Sequence, residues 1–181
     1  MIALGCVTGR FQPIHEQHLT LFEIALEECR HLVVALTNPH TEARHEESTS
    51  AHRHTASANP FTYYERVRLI EAAARERGLS DRITIVPFDL TRPELWPQFV
   101  PLSARQFVRA YGDWERQKAD WLERAGYAVT LLDGNPSNRV SGSDIRACMR
   151  AGNAGWQPLV PAATVSLLDE LLRLVSIGER T

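Results

Sequence analysis

Gly9-Arg10-Phe11-Gln12-Pro13-Ile14-His15-Glu16-Gln17-His18 follows directly on the apolar run Ile2 to Val7, and this junction decides the fold. The apolar run reads as a strand, the Gly-Arg-Phe-Gln-Pro segment as a tight turn, and the residues after it as the start of a helix. In an open α/β sheet, ligands settle in the crevice at the carboxyl ends of strands, where free backbone N–H groups and a helix N-terminus attract phosphate. His15 and His18 share a face if helical, and with Arg10 they aim nitrogen donors at one place. The junction is an anion trap.

Working outward, apolar runs at His31 to Leu36, Ile83 to Pro87, Phe107 to Tyr111 and Tyr127 to Leu132 alternate with longer segments of helical period. Such alternation predicts βαβ units and an α/β fold with a parallel sheet of about five strands flanked by helices. A first helix is expected from about His18 to Cys29, its buried side supplied by Leu19, Leu21, Phe22, Ile24, Ala25 and Leu26. A second, near Thr62 to Arg77, opens on a Thr with Glu65 three places on and stops at Gly78, a capping box and a terminal glycine. Trp114 to Gly126 reads as a helix stopped by Gly, and Ser143 to Ala151 and Thr164 to Val175 close the chain. Leu167, Leu168, Leu171, Leu172 and Leu174 on the last helix serve a core or an interface, a core being the expectation.

At 181 residues the chain is expected to fold as one domain over residues 1–181. A formal net charge of -2 gives no general attraction to nucleic acid or an anionic membrane, so neither is an expected partner and a basic site must be local. Lys118 is the only Lys among 20 Lys and Arg residues. That bias fits genomic composition better than function, although Arg also suits bidentate phosphate recognition. Cys6, Cys29 and Cys148 are widely separated and set among apolar residues, which points to reduced thiols in a cytoplasmic protein. No stretch approaches the roughly 20 apolar residues needed to cross a bilayer, and the N-terminus lacks the pattern of a secretory leader.

Residues 37–59 hold His40, His45, His52 and His54 among Glu, Ser, Thr and Ala without an apolar period. Loops longer than about 12–15 residues are usually functional lids or disordered segments. A substrate-ordered lid, plain disorder and a metal site are the readings left open, the last against His spacings that match no standard ligand pattern.

A second segment, Arg139-Val140-Ser141-Gly142-Ser143-Asp144-Ile145-Arg146, opens the final helical region. The first segment resembles the GRFQPxHxGH signature of the HIGH-motif nucleotidylyltransferases, most closely the nicotinamide-mononucleotide adenylyltransferase-like (cytidylyltransferase-like) branch. The second resembles the ISGTxIR signature of the same family. Asn59-Pro60-Phe61-Thr62 followed by Glu65-Arg66-Val67 is similar to the family's stretch between second strand and second helix. The resemblance spans nearly the whole chain. It implies a single-domain Rossmann-like doubly wound parallel sheet, and transfer of a nucleoside monophosphate from a nucleoside triphosphate to a small phosphate or phosphonate, with release of pyrophosphate. Relatives commonly assemble, which leaves a homo-oligomer open, but the sequence does not give the oligomeric state.

Nucleotidyl transfer needs the α-phosphorus held in line between the attacking oxygen and the departing pyrophosphate, with the extra charge neutralised. His18, deeper in the helix, is expected at the α-phosphate and His15 on the neighbouring phosphates, because imidazole donates to a phosphoryl oxygen and, if protonated, offsets charge. Outside such a motif, a His pair is more often a helix cap or core residue. Gly9, Arg10, Phe11, Gln12 and Gln17 are candidate nucleotide-binding residues. Ser141, Gly142 and Ser143 join them as a phosphate cradle at a helix start, and Arg146, one turn on, is the third candidate catalytic residue, placed to fork onto β/γ oxygens. Taken alone, Ser141 would be an ordinary N-cap with Asp144 in the first turn. Mg²⁺ is expected with the triphosphate, held by phosphates and water and by no protein ligand. A phosphate or phosphonate acceptor is already anionic near neutral pH and needs no general base.

Two departures from the family pattern bear on substrate. Relatives usually carry Gly where this chain has Gln17, and in this fold that Gly lets the base approach the backbone. Gln adds bulk, a donor and an acceptor, which disfavours purine stacking and suits cytosine. Tyr111-Gly112-Asp113-Trp114 stands where adenylyltransferases of this branch show a Ser-Gly-Asn-Pro-like turn. Trp96 falls where the family places an aromatic that can stack on nicotinamide, although large aromatics bury area anywhere. Trp96, Asp113 and Trp114 are the candidate acceptor-binding residues. The substrates are then either CTP with a small phosphonate or phosphate, or ATP with nicotinamide mononucleotide. A non-catalytic nucleotide-binding regulator is the alternative, opposed by the joint presence of Arg10, His15, His18, Ser143 and Arg146. A kinase or dehydrogenase is disfavoured without a Walker A or GxGxxG motif, and a tRNA synthetase without a KMSKS loop.

Overall fold

The computed structural model describes residues 1–44, 46 and 54–177. Its strands are β1 (Ile2–Gly9), β2 (Cys29–Thr37), β3 (Ile83–Phe88), β4 (Arg105–Ala110) and β5 (Val129–Asp133). The helices are α1 (Glu16–Glu28), α2 (Tyr63–Glu76), α3 (Trp96–Phe99), α4 (Asp113–Arg124), α5 (Gly142–Arg150) and α6 (Ala162–Ile177). The strands form one five-stranded sheet in the order β3-β2-β1-β4-β5, every pairing parallel. This is the expected Rossmann-like α/β fold.

Successive strand residues point to opposite faces, and both faces here are apolar. Val7, Leu32, Val34, Leu36 and Phe107 meet Phe22, Leu69, Ile145 and Leu168 from α1, α2, α5 and α6. Cys6, Val33, Ala35 and Val108 meet Trp96, Ala119 and Leu122 from α3 and α4. The Thr62 capping box of α2 forms as the sequence predicts, with Glu65 N–H donating to Thr62 Oγ1 (3.2 Å) and Thr62 N–H to Glu65 Oε2 (2.8 Å). Gly78 follows α2 at φ +65°, a backbone conformation that glycine adopts without strain. Leu168 and Leu171 of α6 are buried, as the core reading requires. The β3–β4 crossover was not readable as a helix, and it holds only one short turn at Pro93–Leu95 and the four-residue α3.

What positions the site is the way β1 is paired. Its register with β2 runs from Ile2↔Cys29 to Gly9↔Leu36, but with β4 it is confined to Gly5↔Arg105 and Cys6↔Gln106. Beyond Cys6 the carboxyl ends of β1 and β4 part, at the point where the strand order reverses direction. A crevice at that switch point is the standard ligand position of open α/β sheets. Buried Arg66 of α2 holds the rim by donating to Arg10 O (2.9 Å), Thr37 O (2.8 Å) and Asn38 O (2.8 Å).

In the His-rich stretch, Thr41–Ala43 and Ala56–Ala58 each make one 3₁₀ turn, whereas His45 and His52 lie outside the described residues. His40 Nε2 comes to 4.0 Å from Asp89 Oδ2. Among the described residues no helix is long and apolar enough to cross a membrane, and no three His, Cys, Asp or Glu side chains are grouped to hold a metal.

Candidate active site

A cleft of about 740 Å³ opens over the parted ends of β1 and β4, with α1 on one side and α4 on the other. At its base, Phe11 adopts φ +49°, and its ring packs edge-on against His18 at 4.8 Å and Phe22 at 5.7 Å. A Cβ on Gly9 would lie 2.9 Å from that ring, so Gly9 makes room for Phe11 and Phe11 buttresses His18. The Gln12 carboxamide pairs with the Phe61 backbone, donating to its carbonyl (2.8 Å) and accepting from its N–H (3.0 Å). Phe11 and Gln12, expected among the nucleotide-binding residues, border the cleft while their side chains pin the turn through the His18 and Phe22 rings and the Phe61 backbone.

His15 is the N-cap of α1, and its backbone N–H donates to His18 Nδ1 (3.2 Å) while the two rings stack at 3.6 Å. An Nδ1 that accepts leaves the proton of a neutral His18 on Nε2, the edge available to a phosphoryl oxygen. Burial, reinforced by the Arg139 charge, holds His15 down at about 4. Burial, with the charges of His15, Lys118 and Arg109, holds His18 well below the ordinary imidazole range. At neutral pH both rings are therefore donors and acceptors without charge, not the protonated pair that the sequence left open. His15 Nδ1 is buried with no hydrogen-bond partner.

The second motif docks against the first. Ser141 caps α5 by accepting from Asp144 N–H (3.1 Å), and its hydroxyl donates to Asp144 Oδ2 (2.7 Å). A Cβ on Gly142 would meet Gln12 O at 2.9 Å, so the glycine lets the two motifs touch. Arg146, 6 % exposed, donates to Gln12 O (2.6 Å) and Ser143 Oγ (3.1 Å). Two of its guanidinium nitrogens thus tie the two motifs together, while its Nε is buried without a hydrogen-bond partner and the residue still borders the cleft.

Gln17 does more than add bulk. Its Nε2 donates to Asn138 O (2.5 Å), and its Oε1 accepts from Val140 N–H (3.0 Å) and Tyr111 OH (3.1 Å). Arg139 lies over the Tyr111 ring at 5.0 Å and pairs with Glu115 Oε1 at 3.0 Å. Glu115 Oε2 accepts from Gly112 N–H (3.1 Å). The carboxamide therefore laces α1, the turn between β4 and α4, and the segment before α5 into one wall.

A second cavity, about 570 Å³, adjoins the cleft on the α3–α4 side, and Arg10 and Trp114 line both. Trp96, Trp114, Trp121 and Arg124 also wall it, and Arg10 donates to Ala58 O (3.2 Å). Trp96 is buried, stacked on Phe88 and donating to Asp89 O (2.7 Å), so it is chiefly structural wall. Asp113 is exposed in the first turn of α4 and lines neither cavity, which removes it from the candidate acceptor residues. Tyr111, Glu115, Lys118 and Arg139 line the cleft and were missed as site residues. Lys118 carried a signal, its uniqueness among the cations, and Tyr111 and Arg139 open two of the quoted segments; only Glu115 depended on contacts no local pattern encodes.

Residues 6–148 match the family model described as cytidylyltransferase-like. The chain belongs to that family. It is 37% identical to the phosphonoformate cytidylyltransferase of Streptomyces viridochromogenes, over 92% of this chain and 90% of that one. It is 25% identical to the nicotinamide-nucleotide adenylyltransferase of Pyrococcus horikoshii, over 92% of this chain and 83% of that one. Among solved structures, a bifunctional NMN adenylyltransferase/ADP ribose pyrophosphatase from Francisella tularensis superposes at TM-score 0.67 with 14% identity, and covers 97% of this chain. This chain spans half the length of that protein, so the match speaks for the fold. The cytidylyltransferase-like enzyme is a nucleotidyltransferase.

Proposed function

We propose that this enzyme transfers CMP from CTP to a small phosphonate or phosphate and releases pyrophosphate. The observation that carries the choice of base is the Gln17 carboxamide, which fills the wall between Asn138 O and Val140 N–H and shortens the space left for a base. A pyrimidine fits that space more readily than a purine. The triphosphate is proposed to lie across the N-terminus of α5, where the Gly142 and Ser143 amides and the helix dipole favour its distal phosphates. His18 Nε2–H is proposed to donate to a nonbridging α-phosphate oxygen. The acceptor oxygen forms its bond to the α-phosphorus as the bond to the β-phosphate oxygen breaks, and the electron pair leaves with pyrophosphate. No proton need move.

A divalent cation, Mg²⁺ by preference, would arrive on the triphosphate and neutralise its oxygens. The cleft carboxylates suit this arrangement, since Glu115 is paired with Arg139 and Asp144 with Ser141. One observation favours the second substrate reading, ATP with nicotinamide mononucleotide: the indole-walled second cavity is roomy for a bare phosphonate and would suit a flat ring. Pyrophosphate release separates the two. CTP, ATP, GTP and UTP with Mg²⁺ are crossed with phosphonoformate, small alkyl phosphonates and nicotinamide mononucleotide. Release with CTP and a phosphonate is expected; release with ATP and nicotinamide mononucleotide alone overturns the proposal.

A further inference from the structure

Lys118 is used by none of the steps above. It lies on α4, 8 % exposed, and its Nζ donates to Thr8 O (2.8 Å) at the parted carboxyl end of β1. Trp114, Lys118 and Trp121 follow one another along one face of α4. Trp114 borders both cavities, Trp121 the second, and Lys118 the cleft, so Lys118 lies one turn from the residue that the two cavities share. His18 lines the same cleft, and its electrostatic environment includes the Lys118 charge.

The chemistry of this spot demands a cation. Transfer brings two anions together, the acceptor oxygen and the α-phosphate, and their repulsion must be offset before the bond can form. The His pair is neutral, and among the cations that line the cleft Arg146 ties Gln12 O to Ser143 Oγ, Arg10 donates to Ala58 O and Arg139 pairs with Glu115, whereas Lys118 is anchored on Thr8 O at the parted end of β1 itself. An ammonium is compact, with three donors on a flexible stem, and fits a floor between strands where a planar guanidinium would need more width.

Resting on the transferase reading, we propose that Lys118 is a catalytic residue, the cation on which the acceptor's anionic oxygen and the α-phosphate converge. It donates hydrogen bonds to both, keeps its protons throughout, and lets go as pyrophosphate and the nucleotidylated product leave.

Because the chain has a single Lys, selective ¹³Cε-lysine labelling gives one resonance that reports this site directly. The titrants are the α,β-methylene analogues of CTP and ATP with Mg²⁺, with and without phosphonoformate, and cytidine as the control, while tryptophan fluorescence follows binding. A shift of the resonance with the triphosphate analogue and none with cytidine is expected. Analogue binding with an unmoved resonance overturns the proposal, and so does the absence of any analogue binding. A shifted resonance in a protein that turns over no nucleotide keeps Lys118 on the phosphates and overturns the transferase reading instead. In a protein that does turn over, Lys118→Met should lower kcat about 100-fold with little change in analogue affinity, and Lys118→Arg should recover part of the loss. Equal falls in kcat and affinity, or Lys118→Met within about threefold of the parent, would show a structural role only.

Discussion

Replacing Gln17 by Gly removes a carboxamide that holds three partners, Asn138 O, Val140 N–H and Tyr111 OH. The first two are an acceptor and a donor on one backbone edge. Adenine and cytosine both carry a donor-acceptor edge like the one the carboxamide now supplies, but the longer purine reaches the vacated backbone edge where the pyrimidine stops short, so the gain falls on ATP. Two such hydrogen bonds are worth about 1–3 kcal/mol together, which corresponds to roughly 5- to 150-fold in relative kcat/KM. The fold pays for the change, since a Gly in the first turn of α1 and the lost lacing cost about 1–2 kcal/mol, visible as a lower Tm. The assay is pyrophosphate release with CTP and ATP in separate progress curves, for the parent, Gln17→Gly and Gln17→Ala. The ATP:CTP ratio of kcat/KM should rise within that range in both variants, more in the Gly variant. A ratio that stays within about twofold of the parent, in variants that melt cooperatively, removes Gln17 from base selection and leaves it a structural brace.

The role proposed for His18, a hydrogen bond from Nε2–H made chiefly in the transition state, requires that His18→Ala reduce turnover by about 100-fold or more while nucleotide affinity, read by tryptophan fluorescence, changes far less. His15 predicts a pH dependence of stability. Its folded value near 4 lies below the unfolded value, so the unfolded chain takes up a proton first and up to about 3 kcal/mol of stability is lost as pH falls from about 6.5 to 4. His15→Asn should shrink the Tm difference between pH 7.5 and pH 4.5 buffers (about 7.5 and 4.5); an unchanged difference refutes the assignment. Gly142→Ala places a methyl 2.9 Å from Gln12 O, a backbone atom that cannot swing aside, and should lower both Tm and pyrophosphate release. Trp114→Ala should raise the acceptor KM more than the CTP KM, as a wall shared by both cavities requires; the reverse order would put the acceptor elsewhere.

The parts of the fold legible in the sequence are those encoded locally. The Thr62–Glu65 capping box, the stop at Gly78 and the strand-turn-helix at Gly9 to His18 each need only neighbours a few residues away. The site was legible as far as its motifs reached, and no further. Gln17 showed as a departure, yet its partners Asn138 and Val140 lie 121 and 123 residues along the chain. Arg66 sits in the familiar Glu65-Arg66-Val67 stretch, but its binding of the Thr37 and Asn38 carbonyls appears only once β2 lies beside α2. Phe11, read from its motif, and Trp96, read from its position in the family with a structural role beside it, are both nearly fully buried while each still borders a cavity, a double role that no local pattern encodes.

The electrostatics of the cleft follow from where each cation is anchored. A stacked, buried imidazole pair cannot hold charge cheaply, since bringing the rings to 3.6 Å would set two positive groups against each other in a poorly solvated place. The sheet geometry therefore divides the labour. Neutral His18 offers a directed hydrogen bond, and the cationic side chains of the cleft are anchored away from it, Arg139 on Glu115 and Lys118 on Thr8 O. A polyanion entering the cleft would stabilise the protonated form of both imidazoles, so nucleotide binding should take up protons below neutral pH. Isothermal titration of the α,β-methylene CTP analogue in two buffers of different ionisation enthalpy measures that uptake. Proton uptake that grows as pH is lowered toward 5, about one pH unit above the free His15 value, supports the division; uptake of none places the triphosphate away from the His pair.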